Sequence, residues 1–305
     1  MSSTQPRSAP RDSTVPGRSR DPLAKGLRLL RFIMQQPAAT VSVRDAAAAL
    51  SMPPSSVHRL LAILAEERLL RQDPRSQRYS LSLDVYRLAH IVAAHTPLRA
   101  IALRHMRALV DACDEAAYFS LYDSARRQMI SIASVESSHA LRYVVETDRW
   151  KPVHAGASGL AIMAFLPAGE RAAIIAATGL PALTPRSITD PAALEAALAR
   201  VRALGHARTI GQRIPGAVGI AVPVFGPDGA VIGDVGLTIP EQRFDHASEP
   251  ALAARLAACA AEIMREIGGQ TPPGIQESDE FSRAGANRPA RARAASARDR
   301  ASRRT

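Results

Sequence analysis

Apolar residues recur at helical spacing in the first third of the chain and predict two short helices there. Leu27, Leu30 and Met34 fall on one face of a helix predicted over Leu23–Gln36. A second short helix is predicted over Val43–Leu50, after a serine of the kind that caps helix starts. Two short helices in succession indicate a small helical domain at this end of the chain.

The stretch "SMPPSSVHRLLAILAEERLL", residues 51–70, predicts a third helix over 54–67. Its apolar positions recur at intervals of three and four residues: Val57, Leu60, Leu61 and Leu64. Pro54 suits the first turn, where a missing N–H group costs nothing. A polar edge starts the helix: Ser55, Ser56, His58 and Arg59. This pattern predicts a helix-turn-helix whose second helix enters the DNA major groove.

The run "LLRQDPRSQRYSLS" follows and predicts strand, turn and strand, with the turn at Asp73-Pro74. This hairpin would form a wing, from which Arg75 and Arg78 reach phosphate or the minor groove. A small three-helix domain that contacts proteins is the alternative at this point.

The rest of the chain alternates short apolar strands with helices. A helix over 83–94 has an apolar stripe suited to linking domains or pairing with a partner. Further helices are predicted over 98–113, 169–178, 191–204 and 249–267, and strands over 116–122, 129–135 and 141–146. The clearest hairpin joins two apolar runs across Pro227-Asp228-Gly229. These elements predict an α+β domain around an antiparallel sheet.

The charge of the chain is unevenly distributed. The chain has 305 residues, 47% of them hydrophobic, and a net charge of +11, and this length suffices for two domains. Residues 22–95 carry ten basic and five acidic side chains, whereas residues 96–268 carry 17 of each. A basic module beside a neutral one indicates a polyanion partner for the first.

Both ends of the chain are rich in Pro, Ser, Ala and Arg. They are predicted to be a disordered basic arm over 1–21 and a disordered basic tail over 269–305. Their arginines would serve a polyanion contact, or would reflect a GC-rich coding sequence.

The cysteine content and the lengths of the apolar runs indicate the cellular compartment of the protein. Cys113 and Cys259 are the only cysteines and form no metal or redox pair, which fits a reducing cytoplasm. The first 21 residues lack the apolar segment of a signal peptide, and the run 159–168 is too short to span a bilayer. We therefore expect a cytoplasmic protein without membrane association, metal or cofactor.

Motifs of enzymes are incomplete in this sequence. The run "GASGL" resembles a nucleophile elbow, but that motif requires glycine where the chain has Leu160. P-loop, GxGxxG and HExxH patterns are absent from the sequence, and neither His58 nor His154 has an identifiable catalytic partner. We expect no enzymatic activity.

A turn of small residues precedes a helix in "KPVHAGASGLAIMAFLP". Such a turn leaves backbone N–H groups open, and helix starts of this kind hold carboxylates or phosphates. The candidate effector-binding residues here are His154, Ala155, Gly156, Ala157, Ser158 and Gly159. Glycines that only permit close packing of helix on sheet are the alternative.

Several segments together resemble the IclR family of bacterial transcriptional regulators. They are "KGLRLLRFI", "MPPSSVHRLL", "RYSLSLDVYRLA", "KPVHAGASGLAIMAFLP" and "PGAVGIAVPVFGPDGAVIGDVGLTIP". The resemblance covers about 23–268, and the order of several motifs is more specific than any one of them. Three positions depart from the family pattern: Ser51 replaces a usual glycine, and Pro54 and Leu160 each replace a common lysine.

The resemblance implies an architecture and a partner. It implies a winged helix-turn-helix DNA-binding domain over 22–82, a linker helix over 83–96 and a GAF-like α/β effector-binding domain with an antiparallel sheet over 97–268. Members of the family act as homodimers or homotetramers on double-stranded operator DNA.

The resemblance also places a ligand cavity between the small-residue turn and the C-terminal hairpin. The candidate effector-binding residues it adds are Ile220, Pro223, Asp234, Gly236 and Thr238, with Leu141 and Tyr143 as an apolar wall. A small organic acid fits this combination. We therefore predict an IclR-type regulator whose DNA binding responds to such an effector through the linker helix. A sensor or protein-interaction module without sequence-specific DNA binding is the alternative.

Overall fold

The structure, a computed structural model, describes residues 21–36, 40–95 and 97–272. The chain divides into two compact units, with the boundary between residues 96 and 97. The predicted basic arm and tail lie outside the described residues, apart from Asp21 and 269–272.

The first unit contains four helices and a small antiparallel sheet. Its elements in chain order are α1 (Pro22–Met34), β1 (Thr40–Val41), α2 (Val43–Leu50), α3 (Pro54–Glu66), β2 (Leu70–Gln72), β3 (Tyr79–Leu81) and α4 (Leu83–His95). The strand order is β1-β3-β2, so the predicted hairpin gains a third strand that the sequence pattern missed. Two residues are too few to show the alternation by which a strand is recognised.

Local capping explains where the helices of the helix-turn-helix begin and end. The Ser42 hydroxyl accepts the Asp45 N–H group and the Asp45 carboxylate accepts the Ser42 N–H group, which forms a capping box. α2 ends at Ser51, whose φ of 51° lies in the left-handed region that favours glycine. Ser51 thus adopts, at the turn into α3, a conformation that glycine adopts at lower cost.

The core of the first unit lies under α3. Val57 and Leu61 of α3 are fully buried and cluster with Leu29 and Ile33 of α1 and Tyr79 of β3. This cluster uses the apolar stripe that the sequence predicted, so the polar edge of the helix is turned away from the core.

The second unit is built on a six-stranded antiparallel sheet. Its elements in chain order are α5 (Leu98–Cys113), β4 (Ala116–Asp123), β5 (Gln128–Val135), β6 (Trp150–Pro152), α6 (Gly156–Met163), α7 (Ala168–Thr178), α8 (Pro191–Leu204), β7 (Ala207–Ile210), β8 (Ala217–Phe225), β9 (Val231–Pro240) and α9 (Glu249–Ile267), with a 3₁₀ turn before α9. The strand order is β6-β5-β4-β9-β8-β7. The predicted α+β class and antiparallel sheet are confirmed.

Helices cover the sheet in two groups. α5 and α9 pack against each other and against the central strands, while α6 packs on β7, β8 and β9 and against α8. Gly159 lets α6 approach closely, because a Cβ atom there would lie 2.1 Å from the Val153 carbonyl oxygen. α6 is therefore packed tightly against the segment that connects β6 to it.

The predicted strand over 141–146 is wrong. This segment has no regular structure, and the edge of β5 is taken instead by β6, which pairs Ile130 with Trp150. Side-chain contacts replace a strand ladder here. The Leu141 carbonyl accepts a hydrogen bond from Arg243, and the Tyr143 hydroxyl donates to the Pro215 carbonyl at 3.0 Å.

Candidate functional site

The start of α3 presents the polar edge expected from the sequence. Ser55, His58 and Arg59 are exposed, and Ser56 is partly buried. The helix has no side-chain cap and starts with Pro54, so the N–H groups of its first turn are open to an anion. A polar surface with open N–H groups matches the way in which recognition helices meet DNA.

The two wing arginines that were predicted to reach DNA differ in their surroundings. The Asp73 carboxylate accepts the N–H groups of Arg75 and Ser76, both at 2.8 Å, which orders the turn and leaves the Arg75 side chain exposed. The Arg78 guanidinium lies 3.1 Å from the Asp45 carboxylate and also contacts Thr40. Arg78 therefore connects the wing to the start of α2.

The second unit contains a cavity of about 480 Å³ between α6 and the sheet. Gly156, Ala157 and Ser158 at the start of α6 form one wall. Tyr118, Ser131, Gly219 and Thr238 line it from the sheet, and Tyr143–Glu146 and Gln212–Ile214 complete its rim. The volume lies within the range of about 300–1,000 Å³ typical of small-molecule sites.

Two cationic side chains line this cavity. Arg213 donates hydrogen bonds to the backbone carbonyls of Pro152 and Ala155, and no carboxylate among the described residues forms an ion pair with it. Lys151 donates to the Glu146 carbonyl at 2.6 Å. Burial lowers the pKa of both cations, and Arg213 further lowers the pKa of Lys151. Two cations and the positive end of α6 favour an anionic guest, and the Gly156 N–H group at that end donates to the Gln212 side-chain oxygen at 3.4 Å.

Tyr118 spans the floor of the cavity because the residue opposite it is glycine. A Cβ atom at Gly236 would lie 2.3 Å from the Tyr118 hydroxyl and ring, so any side chain there would displace the tyrosine. Burial raises the pKa of Tyr118, which stays a neutral hydroxyl at physiological pH.

His154 lies behind the small-residue turn. It is fully buried, its Nε2 atom is 2.9 Å from the Pro181 carbonyl oxygen, and its Nδ1 atom has no hydrogen-bond partner among the described residues. Burial lowers the pKa of His154, so the ring is neutral and adds no positive charge to the site.

The structure brings five of the effector-binding candidates together around the cavity: Tyr143, Gly156, Ala157, Ser158 and Thr238. Seven others are buried without lining it: His154, Ala155, Gly159, Ile220, Pro223, Asp234 and Gly236. Leu141 does not line it either and is exposed. Arg213 and Lys151 also line the cavity but were not predicted from the sequence, because they lie beside and within short edge strands and show no periodic pattern.

Comparisons with known proteins match both units of the chain. The model for the IclR helix-turn-helix domain matches residues 22–74, and the model for the C-terminal domain of bacterial transcriptional regulators of the IclR type matches residues 90–265. Both units therefore have the sequence pattern of a transcriptional regulator, and this chain belongs to the IclR family. The relatives KipR and KdgR are both named as transcriptional regulators of the helix-turn-helix type.

Individual relatives resemble nearly the whole folded chain. The transcriptional regulator KipR of Bacillus subtilis is 28% identical over 246 residues, which cover 81% of this chain and 96% of that protein. A crystal structure assigned to the IclR regulators, from Silicibacter sp. TM1040, is 30% identical, covers 84% of this chain and all of that chain, and has a TM-score of 0.71.

A third relative was crystallised with a ligand. The IclR homolog of Microbacterium hydrocarbonoxydans, complexed with 4-hydroxybenzoate, is 23% identical with a TM-score of 0.71 and covers 81% of this chain and 99% of that chain. At this identity the likeness concerns the fold. Among the described residues, no helix combines the length and the apolar character needed to cross a membrane.

Proposed function

We propose that this chain binds double-stranded operator DNA in the cytoplasm through α3 and the β2–β3 turn. A small organic anion bound in the cavity of the second unit changes that affinity. The DNA-binding part of the proposal is supported by the family, by the exposed polar edge of α3 and by the excess of basic residues over 22–95. A ligand has such an effect only if it binds the two DNA-binding states unequally.

One observation supports the effector-binding part of the proposal: Arg213 lines the cavity, and among the described residues no carboxylate forms a direct ion pair with it, Asp234 acting on it only from a greater distance. A partly buried guanidinium bound only to backbone carbonyls keeps most of its charge available to a ligand. A carboxylate would contact Arg213, Lys151 and the start of α6, where it would compete with the Gln212 side chain for the Gly156 N–H group. The 4-hydroxybenzoate in the Microbacterium relative supports aromatic monocarboxylates as a first class to test.

The test uses the full chain and DNA from the region upstream of its own gene. Binding is measured with and without benzoate, 4-hydroxybenzoate and pyruvate at fixed salt, because salt strongly changes protein–DNA affinity. We expect at least one carboxylate to bind and to shift the DNA affinity. If no specific site can be selected from random DNA by binding to this chain, the DNA-binding part of the proposal is wrong. If the chain binds a specific DNA site but binds none of the three carboxylates, only the effector-binding part of the proposal is wrong.

Arg59→Ala is expected to weaken operator binding about tenfold or more, since a base contact by arginine contributes about 1–3 kcal/mol. Fluorescence anisotropy with labelled operator DNA at several salt concentrations measures the loss. If Arg59 contacts phosphate instead, the slope of the logarithm of the binding constant against the logarithm of the salt concentration becomes shallower by about 0.9. The affinity for all DNA sequences then falls by the same factor. Arg87→Ala is the matched control, because Arg87 is exposed but paired with Asp84 in α4. If Arg59→Ala binds the operator with unchanged affinity, Arg59 does not contact the DNA.

The chain is proposed to form homodimers or homotetramers on the operator. α4 exposes large apolar side chains, with Leu83, Tyr86 and Val92 exposed at 83%, 65% and 66%, and exposed apolar patches mark interaction surfaces. Sedimentation equilibrium should give a multiple of the 32.5 kDa chain mass. Tyr86→Glu should shift the chain toward monomer, and Arg87→Gln on the same helix should not. A monomer at all concentrations would contradict this assembly.

A further inference from the structure

A buried carboxyl lies behind the cavity in the second unit. Asp234 of β9 is fully buried and is paired in register with Ser120 of β4 and Pro223 of β8. Among the described residues, neither of its carboxylate oxygens has a partner with hydrogen-bond geometry. The hydroxyls of Ser120 and Ser158 are close enough to stabilise the ionised form, but burial disfavours it, so this group needs either a proton or a nearby positive charge.

Hydroxyl groups connect this carboxyl to the cavity on two sides. Ser131 of β5 lines the cavity, and its Oγ atom lies 3.1 Å from the Oγ atom of Ser120, the neighbour of Asp234 in the sheet. Ser158 of α6 also lines the cavity and is close enough to lower the pKa of Asp234. Asp234 is therefore shielded from the ligand but adjacent to the hydroxyls that the ligand would touch.

We propose that Asp234 takes up a proton from solvent when an organic anion enters the cavity, and that it positions the hydroxyl hydrogens of Ser131 and Ser158 toward that anion. The proposal rests on the proposed function of the cavity. It makes Asp234 a positioning residue that favours anionic over cationic ligands.

The number of hydrogen bonds that the Asp234 carboxyl can donate and accept explains how its protonation changes the orientation of the serine hydroxyls. An ionised Asp234 can only accept hydrogen bonds, so the hydroxyl hydrogens of Ser120 and Ser158 point toward it. The lone pairs of these hydroxyls then face an incoming carboxylate and repel it. A protonated Asp234 donates its own O–H group, which frees a serine hydrogen to donate to the ligand. One proton bound with one anion also leaves the net charge of the site unchanged.

The surroundings place this proton exchange near neutral pH. Burial raises the pKa of Asp234 to about 7, although Ser158, Ser120, Arg213 and Lys151 each lower it. These groups face Asp234 from α6, β4, the segment after β7, and β6, and Tyr118 of β4 faces it as a neutral hydroxyl. An anion in the cavity adds a negative charge, which raises the pKa of Asp234 further.

The experiment measures proton uptake when benzoate binds to the full chain. Calorimetric titrations at several pH values, each in two buffers of different ionisation enthalpy, give the dissociation constant and the number of protons bound. For the wild type we expect uptake approaching one proton above pH 7, where the dissociation constant rises by about tenfold per pH unit. Asp234→Asn imitates the neutral acid in size, so its affinity should not depend on pH in this range.

A second carboxyl provides the matched control. Asp228→Asn changes an exposed carboxylate in the turn of the same β8–β9 hairpin, and it should leave both affinity and proton uptake as in the wild type. Benzoate binding without proton uptake, or with the same uptake in Asp234→Asn, would overturn the role of Asp234 and leave the proposed effector site intact. Proton release on binding would also overturn it. Failure of benzoate, 4-hydroxybenzoate and pyruvate to bind would overturn both.

Discussion

Gly159→Ala should destabilise the second unit by about 3 kcal/mol or more, because the new methyl group has no room. Its Cβ atom would lie 2.1 Å from the Val153 carbonyl oxygen and 2.7 Å from the carbonyl carbon. Both are backbone atoms of a fully buried residue, so relief requires α6 to move away from the segment that connects β6 to it. Urea unfolding followed by circular dichroism should show the loss. Ligand binding should weaken as well, since α6 carries one wall of the cavity.

Gly169→Ala is the matched control for this substitution. Gly169 lies in α7, where a Cβ atom would have no neighbour within 4 Å. Alanine is favoured over glycine in helices by up to about 1 kcal/mol, so this variant should be as stable as the wild type or slightly more so. Equal unfolding midpoints for Gly159→Ala and Gly169→Ala would show that α6 does not pack as closely as described.

Arg213→Gln is expected to lower the affinity for organic anions about 100-fold. Removal of one partner from a desolvated charge pair costs about 2–5 kcal/mol, and 100-fold corresponds to about 2.8 kcal/mol. Glutamine keeps a donor for the carbonyls of Pro152 and Ala155, so the loop should hold its position while the charge disappears. Calorimetric titration with the carboxylate that binds the wild type measures the loss, and the DNA affinity should no longer respond to that carboxylate.

The control for Arg213 is an arginine whose charge is already paired. Arg186 is exposed and lies 2.8 Å from the Glu241 carboxylate, so Arg186→Gln should change anion affinity by no more than about twofold. If Arg213→Gln binds the carboxylate as tightly as the wild type, the anion lies elsewhere in the cavity or outside it.

Periodicity predicted most of the secondary structure in advance, because it follows from local spacing. The apolar stripe of α3, the capping serine of α2 and the strand pair β8–β9 are properties of neighbouring residues, and the structure has each of them. The segment 141–146 shows the limit of that reasoning. Its apolar residues suit a strand, but β6 already occupies the neighbouring edge.

Residue types predicted the start of α6 as a ligand site, but not the charges around it. Gly156 and Ser158 were predicted as candidates because small residues before a helix have a local signature, and both line the cavity. Arg213 and Lys151 were missed because an arginine or lysine in a short strand or loop has the same local pattern whether it faces solvent or a cavity. Only long-range contacts distinguish the two cases.

The sequence by itself determined the family, the order of the elements and the helix with a polar edge, since these depend on residues close together in the chain. The tertiary structure decided which candidates meet. It paired Arg78 with Asp45, and it placed Asp234 behind the cavity and Arg213 within its wall. The physical reason is that burial and charge pairing depend on residues brought together from distant positions. The same serine, arginine or aspartate acquires its role only from those neighbours.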